Sequence, residues 1–310
     1  MGEWSRKVGE KGEKIVEYFF NEILGYKTAL DDETIECIKG EKHKTNKSKK
    51  TTHGVDGLVS SVSPLEDNVL EIGVISVKYT SKKYPNSPKT EFKKHIRDLA
   101  YTLECFKYSK LLSNTKKQFQ NIDRTDITGI LVWTSNKSEN NENIISKFSN
   151  SILDNDLLFD KIIVIDNDRL TFFVDTVLNI KEKFGEENVK FVYHNTNLNT
   201  NSLTSMSYGQ FLPINYLYSN IIPLRISNNG EIELLICSKD NFNIKHLHQL
   251  LHFAKSFDHL DSTNKVILSF PEYNELDNIS DIKSALMNYD KYELNKNLFL
   301  KTHISNFKNF

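Results

Sequence analysis

Residues 53–80, HGVDGLVSSVSPLEDNVLEIGVISVKYT, constrain the chain most, because they set one lysine near the end of a β-branched run that reads as a core strand. The pattern predicts a strand, a polar turn around Ser63, Pro64, Glu66, Asp67 and Asn68, and a returning central strand. Side chains alternate along a strand, so Ser76 and Lys78 are expected on the face that carries Ile72 and Val74. An ammonium there needs an anion, because removing it unpaired from water costs several kcal/mol. Asp56, at the start of the first strand, is the expected partner across an antiparallel pair. A divalent cation bound there would present water to a phosphodiester.

Composition shows where charge is concentrated. The 310 residues are 38% hydrophobic and 26% charged, enough for a sizeable core and for two domains. A net charge of -1 gives no global attraction to nucleic acid, yet residues 39–97 hold 13 Lys and Arg against 6 Asp and Glu. This basic footprint brackets Asp56 and Lys78. Lys42, Lys44, Lys47, Lys49 and Lys50 are expected on an exposed flexible loop, and Lys82 and Lys83 just after the strand. Such lysines would engage backbone phosphates and carry no base information. Tyr79, Tyr84 and Phe92 lie close enough in sequence to stack on unpaired bases or to be structural.

Cys37, Cys105 and Cys237 are too widely spaced to suggest a disulfide framework and suit a reducing cytoplasm. Cys37, His43 and His53 lie near one another, but their spacing matches no common zinc pattern. No apolar run approaches the roughly 18 residues of a membrane span, and the N-terminus lacks a signal-peptide core, so a soluble cytoplasmic protein is expected.

The chain opens with a strong amphipathic pattern in which Val8, Ile15, Val16, Phe19, Phe20, Ile23 and Leu24 form one apolar arc. Gly9 and Gly12 fall inside that arc and suggest close approach to another backbone, which would bring Glu13 towards the sheet. A second helix is expected after Ser87 as N-cap, Pro88 as first residue and Glu91 as capping-box partner, with Phe92, Ile96, Leu99, Leu103 and Phe106 as its stripe. Buried strands follow at 127–134, 161–166 and 189–193, with a helix at 169–184. That order predicts an α/β fold with a mixed sheet flanked by helices over residues 1–194, a polar linker at 195–207 and a smaller C-terminal α/β domain at 208–310. In the last part, Asn228, Asn229 and Gly230 signal a hairpin turn, and His248 and His252 read as helix-surface histidines.

Asp56 before one strand and Ser76-Val77-Lys78 at the end of the next resemble the PD-(D/E)xK nucleases, where an aspartate begins one core strand and an acid-x-lysine triplet ends the following one. Serine takes the place of the acid here. The GExGE pattern at 9–13 resembles the first helix of restriction-endonuclease-like families, whose second glutamate joins the metal site. GEWSRKVGEKGEK, HGVDG, SPLEDN and VISVKYT together resemble the nuclease-like component of a two-gene, gamma-mobile-trio-associated anti-phage defence system.

The resemblance implies a restriction-endonuclease-like core holding Mg²⁺ or Mn²⁺ through Asp56, Glu13 and the Val77 carbonyl. Lys78 would orient the attacking water and stabilise developing charge, and Ser76 would hydrogen-bond a coordinated water. It further implies a bacterial cytoplasmic nuclease acting on DNA, with RNA the alternative substrate and a co-encoded second defence protein as partner. The competing expectation is a catalytically silent nucleic-acid-binding scaffold.

Overall fold

The computed structural model describes residues 2–26, 33–44, 48–199, 206–255, 263–287 and 297–303, save the side chains of residues 2–8 and 281. The chain divides into two compact units, residues 1–63 with 68–170 and residues 64–67 with 171–310. No helix among the described residues is long and apolar enough to cross a membrane.

The first unit opens with α1 (Gly2–Tyr18), which runs into a π-helical turn (Phe19–Ile23). Val16, Phe19, Phe20, Ile23 and Leu24 are buried, as the apolar arc requires; the side chain of Val8 lies outside the described residues. β1 (Glu33–Glu36) and β2 (Thr52–Val55) form a separate antiparallel pair, with Ile35 opposite His53. β3 (Gly57–Val62), β4 (Val69–Thr80), β5 (Arg124–Ser135) and β6 (Lys161–Ile165) make a four-stranded mixed sheet in that order. β3 runs antiparallel to β4, and β4, β5 and β6 are parallel. Asn68 takes the left-handed conformation (φ 58°) in the polar turn between β3 and β4.

α2 (Lys89–Phe106) and the short α3 (Lys110–Lys116) follow β4. α2 starts one residue later than its sequence signals suggest: Pro88 occupies the cap position and makes no side-chain cap bond, so Ser87 does not cap it. Its apolar residues Phe92, Ile96, Leu99, Leu103 and Phe106 pack with Ile72, Val74, Leu131 and Trp133 on one face of the sheet. The register pairs Ile72 with Ile127 and Lys78 with Trp133, so alternate residues of β4 and β5 share this face.

The opposite face of β4 receives α1. A Cβ built on Gly12 would lie 2.5 Å from Tyr79 Cβ and 3.3 Å from Val77 Cγ1, so only a glycine allows this approach. The same argument fails for Gly9, where an added Cβ would meet nothing within 4 Å. The close contact is therefore confined to Gly12, and it is made with side chains of β4.

In the second unit α4 (Asn167–Phe173) enters from the first, then come a π turn (Val174–Leu178), α5 (Asn179–Phe184), β7 (Val189–Val192) and β8 (Tyr208–Gly209). β9 (Ile221–Asn228), β10 (Glu231–Ser238), α6 (Ile244–Lys255), β11 (Lys265–Phe270), α7 (Glu275–Met287) and β12 (Asn297–Thr302) complete it. Its six-stranded sheet is ordered β12-β11-β10-β9-β7-β8, and by residues this α/β unit is the smaller of the two, as expected. Asn229 and Gly230, both at positive φ, make the expected hairpin turn between β9 and β10. The boundary expected at 194 falls near 170, because β7 pairs with β9, Phe191 opposite Leu224, and not with β6.

Two stability predictions follow from this packing. Gly12→Ala should destabilise the chain by about 1–3 kcal/mol through overpacking, while Gly9→Ala should be neutral or stabilise by up to about 1 kcal/mol, both read from urea unfolding. Burial alone raises the Asp175 carboxyl from 3.8 to about 6, which favours its protonated form in the fold. The stabilising state is therefore complete below the unfolded value and is lost as pH rises through the folded one. Asp175→Asn should raise stability by roughly 1–2 kcal/mol near pH 8, allowing for solvent screening, with the gain vanishing towards about pH 4.

Candidate active site at the open edge of the central strand

β3 stops pairing with β4 at Gly57 opposite Ile75, which leaves the end of β4 without a paired strand on that edge among the described residues. A backbone N–H exposed there needs an acceptor. Asp56, the residue just before β3, supplies it: Val77 N donates to Asp56 Oδ2 at 2.6 Å. Residues on an antiparallel edge direct their N–H and C=O to the same neighbour, so the Val77 carbonyl opens to the same side as the Asp56 carboxylate. Continuing the register by one residue sets Asp56 beside Ser76, which is 8% exposed.

Lys78 follows two residues later on the α2 face. Its ion-pair partner is Asp98 on α2, with Nζ 3.7 Å from Oδ2, and not the Asp56 anticipated from sequence. The reason is geometric: α2 covers the face from which Lys78 emerges, whereas Asp56 is drawn to the backbone of β4. Asp98 also accepts from Lys50 Nζ at 3.0 Å. Burial pushes the Asp98 carboxyl up, but Lys50 and Lys78 outweigh it and hold the group below its ordinary value. His95, one turn earlier on α2, meets Trp133 edge-on at 5.0 Å. Burial first, then the charges of Lys78 and Lys94, lower its imidazole to about 4, so it is neutral at physiological pH.

A cleft of about 630 Å³ opens at this end of β4, lined by Lys78, Lys82, Lys83, Lys94 and His95 among others, with Glu91 its one carboxylate among the described residues. Four lysines against one glutamate give the cleft a positive lining. Glu13 is half-buried and follows Gly12, the α1 residue that packs on Val77 and Tyr79.

The loop lysines are less free than expected. Lys42 Nζ lies 2.9 Å from Glu104 Oε2, and Lys50 is held by Asp98, so both spend charge inside the protein. Lys44 is exposed with Nζ 3.6 Å from Glu41, Lys49 is exposed, and Lys47 lies outside the described residues. Tyr84 and Phe92 are structural and not base-stacking platforms: Tyr84 donates its hydroxyl to Trp133 O at 2.7 Å, and Phe92 stacks on Phe148 at 3.8 Å.

Sequence reasoning missed a second stripe on α2. Glu91, His95, Asp98, Thr102 and Cys105 recur at intervals of four and three beside the apolar stripe, which puts them on one face. Glu91 and His95 reach the cleft, Asp98 meets Lys78, and Thr102 and Cys105 meet His53 and His43. The spacing was legible; the polar partners beneath it were not.

Asp56 and the Val77 carbonyl are hard oxygen donors on a half-buried edge that no described strand pairs, the donor type that Mg²⁺ or Mn²⁺ selects. A family model described as the GAPS4 protein PD-(D/E)XK nuclease domain matches residues 1–169, which include α1, Asp56, β4 and α2 and end where the second unit begins. No curated protein and no solved structure matches the chain. With more than half its length matched, the chain belongs to the family of GAPS4 PD-(D/E)XK nuclease domains, a nuclease-like group of defence proteins.

Proposed function

We propose that this chain is a metal-dependent nuclease that hydrolyses phosphodiester bonds of DNA, using Mg²⁺ or Mn²⁺, in the bacterial cytoplasm and together with a co-encoded second protein. The observation that carries this reading is a carboxylate bonded to the edge of β4 and beside Ser76, with Lys78 lining a basic cleft.

Asp56 and the Val77 carbonyl would hold the cation, and Glu13 is the second carboxylate available from α1. Bound there, the cation would neutralise phosphate charge and make an attacking water more acidic. Lys78, fixed by Asp98, presents a positive charge that needs no reorganisation as negative charge grows on the phosphorus oxygens. Ser76 offers a hydroxyl where the family has an acid, so it can donate to or accept from an ordered water without adding charge. The ligand set is thin, but Mg²⁺ commonly keeps several waters and takes further oxygens from substrate phosphates. Lys82, Lys83 and Lys94 draw the phosphate backbone in without reading bases.

The test is incubation of the purified chain, alone and with its neighbour-encoded partner, with plasmid, linear DNA and tRNA in Mg²⁺ or EDTA. Metal-dependent DNA cutting should fall about 10²–10³-fold in Asp56→Ala and in Lys78→Ala. Undiminished cutting in both variants contradicts the site, cutting of tRNA alone moves the substrate to RNA, and metal-independent retention without cutting favours a silent scaffold. Replacing Lys82 and Lys83 together by alanine should weaken DNA binding equally across sequences and make its salt slope shallower by about two.

A further inference from the structure

Far from the cleft lysines along α2, four side chains from four places in the first unit converge. Cys37 follows β1, His43 lies in the turn after it, His53 is in β2 and Cys105 is in the last turn of α2. One donor atom from each lies within 4.8 Å of all the others. Cys37 Sγ is 3.4 Å and Cys105 Sγ 3.5 Å from His43 Nδ1, and His43 Nδ1 is 3.2 Å from His53 Nε2. Zn–S bonds of ~2.3 Å and Zn–N bonds of ~2.0–2.1 Å at tetrahedral angles require ligand atoms roughly 3.3–3.8 Å apart. The two sulfur–nitrogen distances fall inside that range, and the nitrogen–nitrogen distance lies about 0.1 Å below it.

Hydrogen bonding between the two neutral rings does not account for the close approach of His43 and His53. The other nitrogen of His43, Nε2, is 3.0 Å from Glu104 Oε2, a carboxylate that can only accept, so Nε2 carries the proton. The hydroxyl of Thr102 donates to Asp98 O at 3.0 Å and therefore accepts from His53 Nδ1 at 3.5 Å. In the neutral rings both remaining nitrogens, His43 Nδ1 and His53 Nε2, thus present lone pairs to each other at 3.2 Å. Facing lone pairs repel unless a positive centre lies between them. Glu104 and Thr102 fix both tautomers as outer partners of metal-bound histidines do.

We propose that Cys37, His43, His53 and Cys105 bind one structural zinc ion. Two thiolates and two neutral imidazoles are the ligand set of closed, four-coordinate zinc sites, and two thiolates cancel the charge of the ion. His43, His53 and Cys105 are at most 1% exposed, so no position is open for a reacting water. The ion fastens the β1–β2 pair and its lysine loop to α2. Cys37 N donates to Thr51 O at 2.8 Å at the base of that loop, and β2 leads within one residue to Asp56. The site is separate from the proposed magnesium site in ligands and in chemistry, and stands whether or not the chain cuts DNA.

Metal analysis of the purified full chain tests it. About one zinc per chain is expected, falling to near zero in Cys37→Ser and in Cys105→Ser, unchanged in Cys237→Ser, and held ~10–100-fold more weakly in Glu104→Gln. Cobalt exchanged into the unaltered protein should give the visible absorption of a tetrahedral dithiolate site, a readout that does not depend on any variant folding. Protein that purifies without metal and leaves added cobalt with its free-ion spectrum overturns the proposal. So does a Cys37–Cys105 disulfide in the unaltered chain, or zinc that persists in both serine variants.

Discussion

Lys78 emerges from a buried strand beside Trp133, and its ammonium is answered by Asp98 at 3.7 Å. Much of the first unit follows from that requirement. α2 must bring a carboxylate to β4 while burying Phe92, Ile96, Leu99, Leu103 and Phe106, so it carries two stripes, one apolar and one polar. Asp98 is shared with Lys50, which ties the loop after β1 to the same point. Neutral His95 beside it adds no further charge, so the positive potential of the cleft comes from lysines that phosphate can reach.

The second organising feature is where β3 ends. Had β3 continued by two residues, Val77 would pair with backbone and no side chain would be needed at its N–H. Ending at Gly57 hands that role to Asp56 and leaves a carboxylate and a carbonyl together on an edge that no described strand pairs. α1 packs on the other face through Gly12, which lets Tyr79 and Val77 lie against a helix backbone. Membership of the GAPS4 PD-(D/E)XK nuclease domains agrees with this plan, and Ser76 is its local departure from the acid-x-lysine pattern.

Local pattern made the sheet readable. β-branched alternation marked β4, β5 and β6, and a polar turn ending in Asn68 marked the hairpin that carries Asp56 and Lys78. Long-range pairing was not readable. Nothing local to Lys78 says that its counter-ion lies 20 residues on, and nothing in residues 189–193 says that this strand pairs forward with β9. The Cys and His cluster was hidden for the same reason: Cys37, His43 and His53 lack a familiar spacing, and the fourth member, Cys105, joins only when α2 is laid over β2. The loop lysines looked solvated because Glu104, which accepts from Lys39 and Lys42, sits on a distant helix.

The central claim is that the open edge of β4 holds the catalytic cation. Anomalous diffraction from a crystal soaked in Mn²⁺ measures this directly. The account predicts a peak within coordination distance, about 2.0–2.2 Å, of both the Asp56 carboxylate and the Val77 carbonyl. A manganese peak bound elsewhere in the first unit, with that edge empty, would contradict it.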